Sequence, residues 1–385
     1  MDNRKKIAWF DTHPIQYNTP AYSRISKDKE IEQIVYYFSD FSIRKYFDNQ
    51  FDINVKWDIP LLKGYRYKFL KNSSKKSHGS IFSYLNLDIF SELKKNRYDL
   101  VITHGWGSIS HLLVFISCII TSTPYSVRGD SNSYMINKSK ILQFLIRKLI
   151  FSYAKTIFYI GEQNKKFYKM HGVKEKKLIR MPLCVNNEFF NKQKSYVNID
   201  KEKKLLKINN EKVILISSKL IPKKSIDTLI YALENISTPY VLLVAGSGKL
   251  EKELKNLCKQ LKINVRFLGF INQSQIPKYY WISDIFVMTS KKEPWGLSIN
   301  EAMNCDCAII LSDRVGAKDD LVKNNGFVFK TNSVEDLQSK LEALIDNEEI
   351  LNQFKRNSKK IIENFHYQSN VDSIKEFFNK NKRYA

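Results

Sequence analysis

The sequence predicts an α/β protein of two Rossmann-like domains facing a cleft, on three observations. Short apolar strand-like segments alternate with helix-spaced ones, the signature of a parallel sheet covered by helices. The alternation runs twice, on either side of a polar, charged stretch at residues 191–212. The 385 residues, 43% of them hydrophobic, suffice for two ordinary cores.

In the first half, Ile7-Ala-Trp-Phe10 reads as a buried strand, followed by a helix from about Pro20. Residues 34–38 and 99–103 read as further strands. The apolar run 112–120 is far short of the ~20 residues that span a bilayer, and reads as a helix buried between a sheet and its neighbours. Strands at 124–128 and 156–160 flank helical spacing at 139–153. Residues 191–212, rich in Lys, Asn, Glu and Asp, are a linker by composition. The second set follows: strand 213–217, helix 225–235, strand 240–245 and helix 249–261. Segments at 265–268, 276–281 and 285–288, a helix from Gly296, residues 308–311 and helices to the end complete it. The expected domains are 1–190 and 191–365, with a C-terminal helix at about 366–385 packing back onto the first.

Five scattered cysteines argue for reduced thiols in a cytosolic setting over a disulfide framework. Cys305-Asp-Cys307 lacks the second ligand pair of a zinc site. No signal peptide precedes the first strand. A net charge of +24 fits a solvated lysine-rich surface, anionic lipid headgroups, or nucleic acid. With no recognition helix, zinc finger or RNP signature, a membrane surface ranks above nucleic acid, which is not expected as a partner.

The chemistry concentrates in Glu293-Pro-Trp-Gly-Leu-Ser-Ile-Asn-Glu301. Pro294 biases Glu293 to an extended conformation. From Gly296 a helix begins, whose free N–H groups and positive dipole end suit a diphosphate. Glu293, before the turn, could accept from sugar hydroxyls, and Glu301, one to two turns in, from ribose. Three other features fall at the carboxyl ends of predicted strands, where open α/β sheets bind ligands. Lys219 and Lys224 could neutralise a diphosphate leaving group or be solvated charge. Gly246-Ser-Gly248 could admit a ligand or simply turn. Phe267-Leu-Gly269-Phe270-Ile271 could read a nucleobase edge through its backbone, or be a structural turn.

The order and spacing of these motifs, with Val315-Gly316 and Gly326, resemble the E-x7-E retaining glycosyltransferases of family 4, which have the GT-B fold. The resemblance is strong over about residues 155–330 and loose elsewhere. It implies that Lys219 and Lys224 bind the donor diphosphate and that the backbone of Trp295-Gly296-Leu297, with Ser298 beside it, touches diphosphate and hexose. Glu293 would contact the donor sugar and Glu301 the ribose. Gly246, Gly248, Phe270 and Ile271 complete the donor set. Lys219 stands where arginine is usual, losing the bidentate fork for phosphate. Asp306 and Ala308 replace the usual glycine and proline.

In the first domain, Asp11-Thr-His13-Pro-Ile-Gln16-Tyr17 departs from the glycines common in the family, and is similar to a subset carrying Thr-His-Pro-Ile-Gln-Tyr. His104 matches the family's histidine near the reacting sugar. The catalytic set is therefore Glu293, His104 and Lys224, and the acceptor-side set His13, Gln16, Arg128 and Asp130. Residues 139–151 mix Lys140, Gln143 and Arg147 with Ile141, Leu142, Leu145 and Leu149. That fits an ordinary half-buried helix or a basic amphipathic one on a membrane.

The resemblance implies a retaining, metal-independent transfer from a nucleotide sugar to a glycan or lipid-linked acceptor in bacterial surface polysaccharide synthesis. No Asp-x-Asp is present to bridge a metal, and no cofactor is expected. Front-face attack, with the departing phosphate taking the acceptor's proton, is favoured over double displacement through Glu293. The expected location is cytoplasmic, peripheral on the inner face of the membrane. A nucleotide-sugar epimerase of the same fold, and a catalytically silent membrane-docking subunit, remain alternatives.

Overall fold

The computed structural model describes residues 4–75, 80–135 and 141–382. Ser139 and Lys140, the expected start of the amphipathic helix, lie outside the described residues. The chain divides into two compact units. The first comprises Met1–Arg44, Pro60–Leu183 and Tyr367–Ala385, and the second Lys45–Ile59 and Cys184–His366.

The strands of the N-terminal half are Lys5–Asp11 (β1), Ile31–Tyr37 (β2), Tyr46–Asp48 (β3), Ile53–Val55 (β4), Tyr67–Phe69 (β5), Leu100–His104 (β6), Tyr125–Arg128 (β7), Thr156–Tyr159 (β8) and Leu178–Arg180 (β9). Seven of them form the sheet of the first unit, in the order β5-β2-β1-β6-β7-β8-β9. Its pairs are all parallel. A parallel sheet is covered on both faces, so its strands read as continuous apolar runs. β1 shows why: Ala8 and Phe10 enter one core with Val101, Val127 and Ile157. Ile7 and Trp9, pointing the other way, enter a second core with Val35, Ile102 and Phe158. That second core is closed by Val371, Ile374 and Phe377 of the last helix, Gln368–Lys382.

In the second unit, Lys212–Ser217 (β10), Tyr240–Ala245 (β11), Val265–Gly269 (β12), Ile285–Met288 (β13), Ala308–Ser312 (β14) and Gly326–Phe329 (β15) form a parallel sheet in the order β12-β11-β10-β13-β14-β15. β15 corrects the expectation of helices alone after residue 311. Gly326 permits this edge pairing, because a Cβ there would meet the Ile309 carbonyl oxygen at 1.9 Å.

Residues 191–212 are not a structureless linker. Helices Asn187–Gln193 and Ile199–Leu205 occupy much of the stretch, each started by an asparagine side chain. Asn186 accepts from the Phe189 N–H and Asn198 from the Lys201 N–H, satisfying donors that composition alone does not reveal. Phe190 is buried and its carbonyl accepts from the Trp281 indole at 3.1 Å.

Two helices of the first unit also depart from expectation. Ile109–Ile120 is buried along Ser110, His111, Val114, Phe115, Ser117 and Cys118 but leaves Leu112, Ile116, Ile119 and Ile120 in solvent. Ile141–Tyr153 buries Ile150 and Phe151 only, while Leu142 is 70% and Leu149 62% exposed. The two helices touch through Phe115 and Tyr153, edge to face at 5.5 Å.

Candidate functional site

The nominated residues of the second unit lie on loops at the carboxyl ends of β10 to β13 and, for Leu297, Ser298 and Glu301, on the helix Leu297–Asn304 that follows β13. The loop after β10 and the loop after β11 are zipped together: the Ser218 N–H donates to the Ala245 carbonyl and the Leu220 N–H to that of Ser247. This approach explains both glycines of the Gly246-Ser-Gly248 turn. Their φ values are +141° and +152°, and a Cβ would sit 1.8 Å from the Ser218 oxygen or 2.6 Å from the Leu220 oxygen. The glycines are thus required by the neighbouring loop.

Lys224 ends a short 3-10 turn, Pro222–Lys224, and its carbonyl accepts from Thr289 Oγ1 at 2.6 Å. Its ammonium donates to Glu293 Oε2, which also accepts from Ser290 Oγ at 3.3 Å. Both side chains are mostly buried, at 13% and 14% exposure. The Glu293 backbone is extended and bridges to Val315: its N–H donates to the Arg314 carbonyl, and its carbonyl accepts from Gly316. Gly296 then turns the chain at φ +98° into the helix Leu297–Asn304. A Cβ at Gly296 would crowd Ile299 and Met288 at 2.9 Å. Trp295 is buried and donates its indole N–H to Asn300 Oδ1 at 2.9 Å, which ties its ring to the helix that follows.

Glu301 is 3% exposed. Gln273 Nε2 donates to one oxygen at 2.9 Å and the Tyr280 hydroxyl to the other at 2.8 Å. Glu301 therefore ties its helix to Ile276–Trp281 and to the loop after β12.

Nothing in the sequence pattern separates residues 45–59 from the first domain, yet they pack on the second unit. β3 and β4 pair antiparallel as a hairpin. Asp48 accepts from Lys219 Nζ through both oxygens, at 3.2 and 3.0 Å. The same ammonium lies 4.5 Å from the centre of the Phe51 ring. Phe51 meets Phe270 edge to face at 5.0 Å, and Trp57 lies 6.1 Å from that ring.

In the first unit, the ends of β1, β6 and β7 bring Asp11, His104 and Arg128 near a buried polar network. Asp11 Oδ2 accepts from Asn18 Nδ2 at 3.0 Å and the Tyr22 hydroxyl at 2.9 Å, and Oδ1 accepts from the Thr12 N–H at 2.8 Å. Burial nevertheless pushes its carboxyl up to about 6. Asn18 Nδ2 also lies 3.1 Å from His104 Nδ1. An amide NH2 only donates, so Nδ1 accepts and the ring proton belongs on Nε2. Burial, with Arg128 and His111 adding to it, holds His104 well below the usual histidine range. His104 is thus a neutral N–H donor, and its Nε2 is buried without a hydrogen-bond partner among the described residues. His111 supports the loop, its Nε2 donating to the His104 carbonyl at 2.8 Å while Nδ1 accepts from Ser108 Oγ.

The acceptor-side candidates divide. Arg128 is buried and directs its guanidinium at the carbonyls of Pro182, at 3.0 Å, and Met181, at 3.4 Å. Asp130 is exposed just beyond β7. His13 pairs with Thr12 Oγ1 at 3.0 Å and packs edge-on against Phe41, and Gln16 is half-buried in the following turn. Asn18 and Tyr22 escaped the sequence reading. The signal for them was Asp11, a carboxylate in an apolar strand that has to find donors nearby.

Residues 198–361 match the family model described as glycosyl transferases group 1. An uncharacterized glycosyltransferase of Methanocaldococcus jannaschii is 35% identical over 120 residues, and the match spans 30% of each chain. The Escherichia coli UDP-Gal:α-D-GlcNAc-diphosphoundecaprenol α-1,3-galactosyltransferase is 27% identical over 76% of this chain and 78% of its own. Among solved structures, Anabaena HepE in complex with UDP superposes with a TM-score of 0.77, at 17% identity, over 97% of this chain and 100% of that one. The fold is GT-B. The matched family model and the relatives all carry glycosyltransferase names. Among the described residues no helix is long and apolar enough to cross a membrane.

Proposed function

We propose that the protein is a retaining glycosyltransferase that moves a sugar from a nucleotide sugar to a lipid-linked or glycan acceptor in bacterial surface polysaccharide synthesis. The observation that carries the reading is the cluster of Lys224, Glu293 and the Gly296 turn at the carboxyl end of the second sheet. In this reading Lys219 and Lys224 face the donor diphosphate, and the first N–H groups of Leu297–Asn304 add their dipole. These groups, without a metal ion, stabilise the negative charge that grows on the leaving phosphate. Glu293 orients the sugar and balances positive charge on its ring. His104 offers a neutral N–H to a sugar oxygen, and the leaving phosphate takes the acceptor's proton in a front-face displacement.

The E. coli relative's name specifies a diphosphoundecaprenol acceptor, and a lipid-linked acceptor fits the exterior of the first unit. Leu112, Ile116, Ile119 and Ile120 of one helix and Ile141, Leu142, Leu145 and Leu149 of the next are exposed. Arg147 and Lys148 lie on the same helix as the second group, in a chain of net charge +24. Apolar side chains flanked by cations suit the inner, anionic face of a membrane. The protein would then be cytoplasmic and peripheral.

A nucleotide-sugar panel tested by thermal shift, followed by transfer assays on an undecaprenyl-diphosphate-linked sugar, tests the reading. One nucleotide sugar should raise the melting temperature and yield an α-linked product. Release of an isomerised nucleotide sugar without acceptor would instead identify an epimerase. Liposome binding with no turnover of any donor would identify a silent subunit.

A further inference from the structure

Both lysines assigned to the donor diphosphate are already engaged by carboxylates, Lys219 by Asp48 and Lys224 by Glu293. If both pairs persisted when a nucleoside diphosphate arrived, two carboxylates and a doubly charged diphosphate would share two ammonium groups. Like charges a few ångströms apart in partly buried surroundings repel by more than thermal energy. One carboxylate has to leave.

The fold decides which. Glu293 is pinned through its own backbone by the bridge to Val315 and is followed by Pro294. Asp48 rides on a hairpin whose strands are three residues each, and two-stranded hairpins are marginal without outside support. That support comes from the loops of the candidate donor site. Ser247 Oγ donates to the Phe51 carbonyl at 2.9 Å, and Asn272 Nδ2 to the Lys56 carbonyl at 2.7 Å. The Ser274 N–H donates to Asp58 at 3.2 Å. Phe270 packs against Phe51. The hairpin thus covers the loops after β10, β11 and β12. Asp48 would also survive release from Lys219 with partners of its own, because it accepts from the N–H groups of Gln50 and Phe51 at 2.8 and 2.9 Å.

Resting on the donor reading above, we propose that residues 45–59 form a clasp over the donor site, in which Asp48 occupies on Lys219 the place that a donor phosphate takes. Binding exchanges one anion for another on the same ammonium and frees the hairpin. Asp48 thereby sets donor affinity, lowering it for ligands whose diphosphate has to displace it and leaving phosphate-free nucleosides unaffected.

The test titrates UDP and GDP, with uridine and guanosine as phosphate-free controls, into the full chain and into Asp48→Asn and Lys219→Met, with folding checked by circular dichroism. Asp48→Asn should tighten the diphosphate that binds by roughly tenfold and leave the nucleosides unchanged. Lys219→Met should weaken it. Weak binding by Lys219→Met without tightening in Asp48→Asn overturns the clasp and makes Asp48 a positioning residue for Lys219. Unchanged binding by Lys219→Met overturns the donor role of Lys219 itself. Should Asp48→Asn fail to fold, hydrogen exchange on the wild-type chain decides. Amides of residues 46–55 should lose protection when UDP or GDP saturates the protein, and unchanged or increased protection sinks the proposal.

Discussion

The two units arrange their buried polar groups by opposite principles. In the second unit the nominated side chains are charged and held in exchangeable pairs: Lys219 with Asp48, and Lys224 with Glu293. In the first unit imidazole charge is suppressed, around a buried Arg128 that keeps its own. His104 and His111 are kept neutral, and Asp11 is pushed up to about 6 even while three donors surround it. A site of paired ions can trade one anion for another and so suits a diphosphate. Neutral imidazoles keep their hydrogen-bond directions fixed and suit hydroxyl groups, which bring no charge to compensate.

The sharpest way to break this comparison is Glu293→Ala. It deletes the carboxylate and leaves Lys224 as a mostly buried cation without that partner. Sugar transfer should fall by roughly a thousandfold while the circular dichroism spectrum stays native. Turnover within a few fold of wild type would remove Glu293 from the chemistry.

The neutral imidazoles are probed through pH. His111 is held down at about 4, chiefly by burial. As pH falls from 7, the unfolded chain gains a proton near 6.5 that the folded His111 refuses, so folding loses stability over the window 6.5 to 4. That loss reaches about 3 kcal/mol. His111→Gln lacks it, so its deficit relative to wild type in urea melts should shrink by about that amount between pH 7 and 4. A deficit that is constant with pH would show His111 to be freely titrating. Asp11 works in the opposite sense: its raised pKa favours the folded state as pH falls from about 6 toward 4, which is why a difference between variants is the cleaner readout.

Gly246→Ala asks whether the turn of the second unit is structural. Its methyl group collides with the Ser218 carbonyl, and a loss of about 2 kcal/mol or more in chemical denaturation is expected. The smallest stability effect belongs to the exposed helix of the first unit. The double variant Leu142→Ser, Leu149→Ser should change stability by less than about 0.5 kcal/mol. It should nevertheless lose binding to anionic liposomes, and full retention of binding would place the membrane contact elsewhere.

Sequence and structure agree best where one local cue decides the outcome. β11 and β13 coincide with the apolar runs at 240–245 and 285–288. The turn into Leu297–Asn304 is legible because Pro294 restricts the backbone and Gly296 frees it to take the positive φ that the turn requires. What stayed hidden depends on partners distant in the chain. β15 needs the bare face of Gly326 against Ile309. The helices at 187–193 and 199–205 are the exception, since their caps, Asn186 and Asn198, are local and were masked by the charged composition around them. The hairpin at 45–59 reads as ordinary polar sequence until Lys219, some 171 positions away, is seen to hold Asp48. The buried role of Arg128 was illegible for the same reason, since backbone carbonyls have no signature in composition.

The last helix, Gln368–Lys382, has a consequence for how the protein is made. Its residues Val371, Ile374 and Phe377 cover the face of the first sheet that carries Ile7 and Trp9. On a ribosome, then, the unit that starts synthesis is the last to be finished. The second unit has all its residues once His366 has left the exit tunnel, while Ile7 and Trp9 wait for the tail. Nascent chains stalled on a linker fused after His366, long enough to clear the tunnel, should therefore display a protease-resistant second unit beside a first unit still open to chaperones.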